Sequence, residues 1–272
     1  NGKLNPNATL GNRVVYNGQD YLLTPDDWED IAFRSSMRQE YNVSVSGATD
    51  RSTFYASFGY LNNEGITENS NMERYTARLK ADYQAKKWLK VGANAGYANF
   101  TYNSLSADGQ GNSSANLFAF TSSVAPIYPL DVRDGQGNIM KNDAGITMYD
   151  YGDGMNAGLT RPLLPNANGL ADSRLNTDRS EGNAFNGTGF FDILFLKDFK
   201  FTFNVGVSLD ETRRTTVQNP YFGQFADENG IIGKYHTRDF SHNLQQILNY
   251  TKVIGKHNVN VMLGHEYYQR RQ

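Results

Sequence analysis

The chain has 272 residues, no cysteine and a formal charge of -2, with 39% hydrophobic residues and a mean hydropathy of -0.61. The missing cysteines exclude a disulfide scaffold and thiolate-held metals, and the near-neutral charge leaves no basic footprint for nucleic acid. No stretch approaches the roughly 18 apolar residues of a spanning helix, but a membrane sheet shows lipid only every second residue, so low hydropathy does not exclude one.

Residues 1–37 are punctuated by Asn, Gly and Pro and read as loop. Their start, Asn1 to Pro6, has no apolar run of the kind a signal peptide carries. Within them, Thr24-Pro25-Asp26-Asp27-Trp28-Glu29-Asp30-Ile31 reads as a short helix with Thr24 as N-cap and Pro25 at the first helical position. Capping and the helix dipole account for its acids better than acid–base chemistry does.

A period of two then takes over. Within 38–102, four runs of alternate residues are apolar: Tyr41, Val43, Val45; Phe54, Ala56, Phe58, Tyr60; Tyr75, Ala77, Leu79, Ala81, Tyr83; Leu89, Val91, Ala93, Ala95, Tyr97. The opposite face is mostly polar or small and carries Arg74, Arg78, Lys80 and Lys90. This predicts four antiparallel strands over about 38–47, 52–61, 73–84 and 87–102. Aromatics at the stripe ends and charges kept to one side are the marks of a transmembrane barrel, where an Arg or Lys on the lipid face costs about 2 to 4 kcal/mol.

Residues 103–183 hold no sustained alternation and read as one long extracellular loop, with a helical turn or two at 116–125 before Pro126 and a small hairpin at 131–140. Alternation returns over 184–272. Phe185 to Phe195 alternate with Asn186 to Leu194, and Phe199, Phe201, Phe203, Val205, Val207 and Leu209 stand against Lys200, Thr202, Asn204, Gly206, Ser208 and Asp210. A loop over about 214–236 precedes a last pair near 238–252 and 258–268, in which His242 and Gln246 interrupt the apolar face.

Short and long connections alternate, as with periplasmic turns and outer loops, so both chain ends are expected outside the cell. The fold class predicted is all-β, a transmembrane antiparallel barrel with long extracellular loops, represented by about eight consecutive strands. Eight strands alone would leave open edges in lipid, which points to an interior segment of a larger barrel. A self-contained eight-stranded barrel fits less well, because its narrow interior needs filling side chains and the inward positions are rich in Gly, Ser and Asn.

The blocks Asp27-Trp28-Glu29-Asp30-Ile31-Ala32-Phe33, Tyr41-Asn42-Val43-Ser44-Val45-Ser46-Gly47, Phe54-Tyr55-Ala56-Ser57-Phe58-Gly59-Tyr60-Leu61, Arg74-Tyr75-Thr76-Ala77-Arg78-Leu79 and Trp88-Leu89-Lys90-Val91-Gly92-Ala93-Asn94 resemble the SusC/RagA family of TonB-linked outer-membrane transporters of Bacteroidetes. So do Glu64-Gly65-Ile66, Ala125-Pro126-Ile127-Tyr128-Pro129, Asn249-Tyr250-Thr251-Lys252 and His257-Asn258-Val259-Asn260-Val261. The resemblance implies a plugged barrel of the 22-stranded class in the outer membrane. It also implies a SusD-like lipoprotein partner, TonB acting through a segment not in this chain, and import of oligosaccharides or peptides. The plug and the remaining strands are absent from these residues. A structural role for such a barrel within an outer-membrane assembly is the alternative.

Chemistry motifs are sparse. His236, His242, His257 and His265 have no metal-ligand spacing. The acidic, Gly-rich pieces at 131–138 and 150–154 have the composition of calcium loops without the ligand spacing, so turn chemistry is the better reading and no cofactor is expected. No phosphate loop or nucleophile motif argues for an enzyme. Tyr128, Tyr149, Tyr151, Tyr221 and Phe222 are the loop aromatics expected to meet substrate or partner, and Arg74, Arg78, Lys90, Lys200 and Asp210 are expected to face the lumen.

Overall fold

The computed structural model describes residues 13–105, 116–125, 127–223 and 225–272. The N-terminal hexapeptide and Pro126, both used above, lie outside the described residues.

Alternation builds an eight-stranded antiparallel sheet in strict chain order: β3 (Arg38–Ala48), β4 (Ser52–Glu64), β5 (Asn71–Lys86), β6 (Leu89–Asn103), β7 (Thr177–Phe195), β8 (Phe199–Gln218), β9 (Ile231–Ile254) and β10 (His257–Arg271). Antiparallel partners share a face, so the register tests the stripe directly. One cross-strand row runs Ser52, Tyr83, Val91, Phe191, Phe203, Gln246, His265, and the next runs Phe54, Ala81, Ala93, Gly189, Val205, Leu244, Tyr267. The apolar face is therefore continuous across the sheet. It is also bare, with Val43 71%, Leu79 64% and Leu263 67% exposed, which a water-soluble sheet would cover.

The rows do not run parallel to the line of tight turns. Ser52, at the first turn, shares a row with Gln246, which lies eight residues short of Ile254 at the last turn. That stagger is the shear of tilted strands in a barrel wall.

Aromatic rings bracket the stripe. Tyr41, Tyr60 and Tyr75 form one run, with ring centres 6.4 and 5.0 Å apart, and Phe195, Phe199 and Tyr250 another, at 5.5 and 4.8 Å. The interruption noted in β9 is satisfied internally: His265 Nδ1–H donates to Gln246 Oε1 at 2.6 Å, and His242 lies between the rings of Phe240 and Tyr267.

Apolar stripes misplace the far strand ends. β7 starts at Thr177, inside the stretch read as loop 103–183, and the loop read at 214–236 shrinks to 219–230. Likewise the β4–β5 link is only 65–70. These extensions lie beyond the apolar band, where neither face needs a stripe. Ladder hydrogen bonds continue there beside charge pairs such as Arg213–Glu211 at 2.8 Å and Arg214–Asp178 at 2.7 Å.

Residues 13–37 are not simply loop with a helix. β1 (Arg13–Tyr16) and β2 (Gln19–Leu22) make a hairpin through Asn17 and Gly18, whose φ angles of 50° and 79° suit the mirror-image turn. α1 (Trp28–Ala32) is capped by Asp27, whose carboxylate accepts from Glu29 N and Asp30 N, not by Thr24. Asp26 stays outside the helix, its N–H bonding Tyr128 O while its carboxylate accepts from Leu130 N at 2.7 Å.

The long loop has structure of its own. α2 (Leu117–Ser123) is capped by Asn116 and α3 (Gly169–Leu175) by Asn168. Between them residues 131–149 form a short bridged meander that includes the hairpin read from the sequence. Val14, Leu23, Trp28, Phe120, Leu130, Leu159 and Leu170 close one buried core that joins the N-terminal segment to the long loop. This core draws nothing from the apolar stripe. Asn69 and Glu68, in the β4–β5 link, tie it to the sheet through Ser173 O at 2.7 Å and Arg174 at 2.8 Å.

Candidate functional site

Two surfaces concentrate the predicted residues. On the sheet, Arg74, Arg78, Lys90, Lys200 and Asp210 all fall in rows alternate to the apolar stripe. Asp192 accepts from Thr202 Oγ1 at 2.7 Å and pairs with Lys200 at 3.2 Å, while Lys90 Nζ stands 5.7 Å from the centre of the Phe190 ring. Asp210 accepts from Ser208 Oγ at 3.2 Å. Arg78 lines a hollow of about 400 Å³ with Tyr55, Lys80, Asp82 and Asn94, and Arg74 Nε is buried without a hydrogen-bond partner.

In the outer loops the five aromatics separate. Tyr128, expected to meet substrate or partner, is instead buried in the loop core, its carbonyl accepting from Trp28 Nε1 at 2.9 Å. Tyr151 is buried as well, at 2% exposure. Its ring stacks on Phe222 with centres 5.9 Å apart, and Tyr149 meets Phe222 edge-on at 6.5 Å. Tyr221, 43% exposed, completes a cleft of about 820 Å³ between residues 151–167 and the β8–β9 loop. Thus Tyr151, Tyr221 and Phe222 are brought together, Tyr149 supports them from behind, and Tyr128 is elsewhere.

Polar groups missed in the sequence hold the cleft. Tyr151 Oη donates to Asp172 Oδ1 at 2.9 Å. Burial pushes the Asp172 carboxyl up to about 6, the Tyr151 hydrogen bond opposing it, and raises the Tyr151 phenol. Asp150 accepts from Gly152 N and Asn156 Nδ2, both at 2.7 Å, and burial likewise carries it to about 6. Arg161 donates to Ala167 O and lies over the Trp28 and Phe120 rings, its guanidinium pKa lowered by burial. The only signal available for α3 was Asn168 as a cap; seven residues are too few for helical periodicity to show.

The calcium-like pieces use their acids locally. Asp134 Oδ1 accepts from Gln136 N and Asn138 N at 2.9 Å, closing its own turn. Among the described residues no three His, Asp or Glu side chains converge as a metal-ligand group.

No protein-family model matches the chain. The TonB-dependent receptor SusC of Bacteroides thetaiotaomicron is 27% identical over 249 residues, 88% of this chain and 24% of that protein. A TonB-dependent receptor of Formosa agariphila is 24% identical across 92% of the chain and 23% of its own length. A solved structure of the RagAB peptide transporter superposes with a TM-score of 0.69 and 24% identity, over 90% of this chain and 26% of the matched one. The chain is SusC/RagA-like. Its eight-stranded sheet is a fragment of a barrel similar to those of TonB-dependent receptors, and the chain spans about a quarter of the curated relatives' length.

Proposed function

We propose that these residues form part of the wall and outer cap of a TonB-dependent outer-membrane importer of large nutrients, oligosaccharides or peptides, that works with a SusD-like surface lipoprotein. The observation that carries this reading is the juxtaposition of one largely apolar lipid-type face across eight strands with a structured loop core at the long-connection end. On this reading the aromatic cleft stands at the mouth of the lumen, and Arg74, Arg78, Lys90 and Lys200 belong to its wall. The relatives named above, receptors and a peptide transporter, support it.

The test is deletion of the full-length gene in its own host, followed by uptake assays with oligosaccharide and peptide mixtures, and recovery of the protein with its neighbours in mild detergent. Loss of uptake of at least one nutrient class, restored by complementation, together with co-recovery of a lipoprotein, is expected. Unchanged uptake with recovery of non-transport outer-membrane machinery instead assigns the barrel to a structural role.

A further inference from the structure

The outer cleft has a charge as well as a shape. Asp153 and Asp227 are exposed on its lining, and Lys, Arg and His are missing from its described lining residues. A third carboxylate lies directly behind the surface. A side chain at Gly223, where φ is +81°, would meet Tyr151 at 3.1 Å and Asp172 Oδ1 at 3.4 Å, so this glycine lets the backbone pass between the cleft and the Tyr151–Asp172 pair. The nearby cations are turned away or already engaged. Arg161 lies over Trp28 and Phe120, inside the core, and Arg174 forks onto Glu68 with bonds of 2.8 and 3.3 Å.

Tyr221 offers an exposed ring beside those carboxylates, and Phe222 is held in place by stacking on Tyr151. Aromatic faces next to acids attract a cation twice, through the ring quadrupole and through charge-assisted hydrogen bonds to carboxylate oxygens. The volume of about 820 Å³ suits a side chain with a length of backbone rather than a single ion.

We propose that this cleft captures a positively charged side chain, lysine or arginine, of an extended peptide. The proposal deepens the importer reading and rests on it only for the steps after capture. Leu164 and Asn166 take left-handed backbone angles of 53° and 59° at the cleft wall, presenting a preformed surface. Neutral oligosaccharides would use the ring but gain nothing from three like charges.

Binding is measured on the full-length protein in detergent, by fluorescence polarisation of three labelled peptides of equal length whose central residue is Arg, citrulline or Glu. The Arg peptide is expected to bind about tenfold tighter than its neutral citrulline twin. That advantage shrinks as salt is raised. Asp153→Asn with Asp227→Asn should cut that advantage to the small remainder that buried Asp172 sustains, and the amide oxygen introduced at position 153 can still accept the Met155 N–H that Asp153 Oδ1 holds at 2.9 Å, so the turn itself is kept. Tyr221→Ala should weaken the Arg peptide most. Equal affinities for the Arg and citrulline peptides overturn the proposal, as does an Arg preference that the double Asn substitution leaves undiminished. A neutral oligosaccharide that binds and is lost with Tyr221→Ala, in the absence of charge preference, assigns the cleft to sugar instead. If uptake persists after gene deletion while the charge preference stands, the importer reading fails alone.

Discussion

The Tyr151 hydroxyl hydrogen-bonds the buried carboxylate of Asp172 across 21 residues of chain, at 2.9 Å, and so ties the floor of the outer cleft to α3. Asp172 and Asp150 both have folded pKa values raised to about 6 from the usual 3.8. A raised carboxyl binds protons more readily when folded. Its stabilising contribution is therefore complete below the unfolded value and is lost as pH rises through the folded one. Amide hydrogen exchange over residues 150–176 should show protection falling between pH 4 and pH 7. Asp172→Asn, which can still accept from Tyr151, should flatten part of that dependence and strengthen protection at pH 7 by about 1 to 3 kcal/mol. Protection that rises steadily with pH contradicts this account.

Leu79 sits mid-stripe between Ala56 and Ala95 on the apolar face. Leu79→Arg should destabilise the full-length barrel by about 2 to 4 kcal/mol in bilayer unfolding experiments. Ser44→Arg, on the other face of the same sheet, should cost under about 1 kcal/mol. Equal costs for the two would mean that the stripe does not meet hydrocarbon.

Gln246 and His265 form one hydrogen bond within that apolar face. Gln246→Leu leaves the imidazole with its partner removed and should cost about 1 to 3 kcal/mol. Adding His265→Leu should recover most of the loss, since removing both polar groups leaves none unpaired. Additive losses in the double variant would show that the pair is not coupled.

The Phe190 ring fills the space that a side chain at Gly92 would take, on the polar face of β6 and β7. Gly92→Val forces the ring aside and should lower stability by about 1 to 3 kcal/mol, while Gly92→Val with Phe190→Ala should be milder than the first change alone. Thermal unfolding of the purified barrel reads both.

Trp28 is 1% exposed, meets Phe120 edge-on with ring centres 5.3 Å apart, and donates to Tyr128 O. Trp28→Ala should cost the loop core about 3 to 5 kcal/mol. Limited proteolysis should then cut within 127–175 while the strands stay intact, because that core takes nothing from the apolar stripe.

Strand order and the sharing of one face by the apolar residues were legible in the sequence. Alternation is a local signal, and tight turns such as Lys197-Asp198 between β7 and β8 leave each hairpin one register that keeps the apolar residues on one side. Even the flaw at Gln246 was readable. The lengths of β7, β8 and β9 were not, because beyond the lipid band both faces are polar and the pattern stops while the ladder continues. Likewise the Asn17-Gly18 turn was written in the chain, though it stood out only once its two short strands were seen paired. The cleft and its core belong to tertiary structure alone. Trp28 finds Tyr128, Tyr151 finds Phe222 and Arg174 finds Glu68 across 71 to 106 residues of chain, and such contacts leave no period to read. Burial in that core, not residue type, turned Tyr128 inward, left Tyr221 in the open and raised the carboxyls of Asp150 and Asp172.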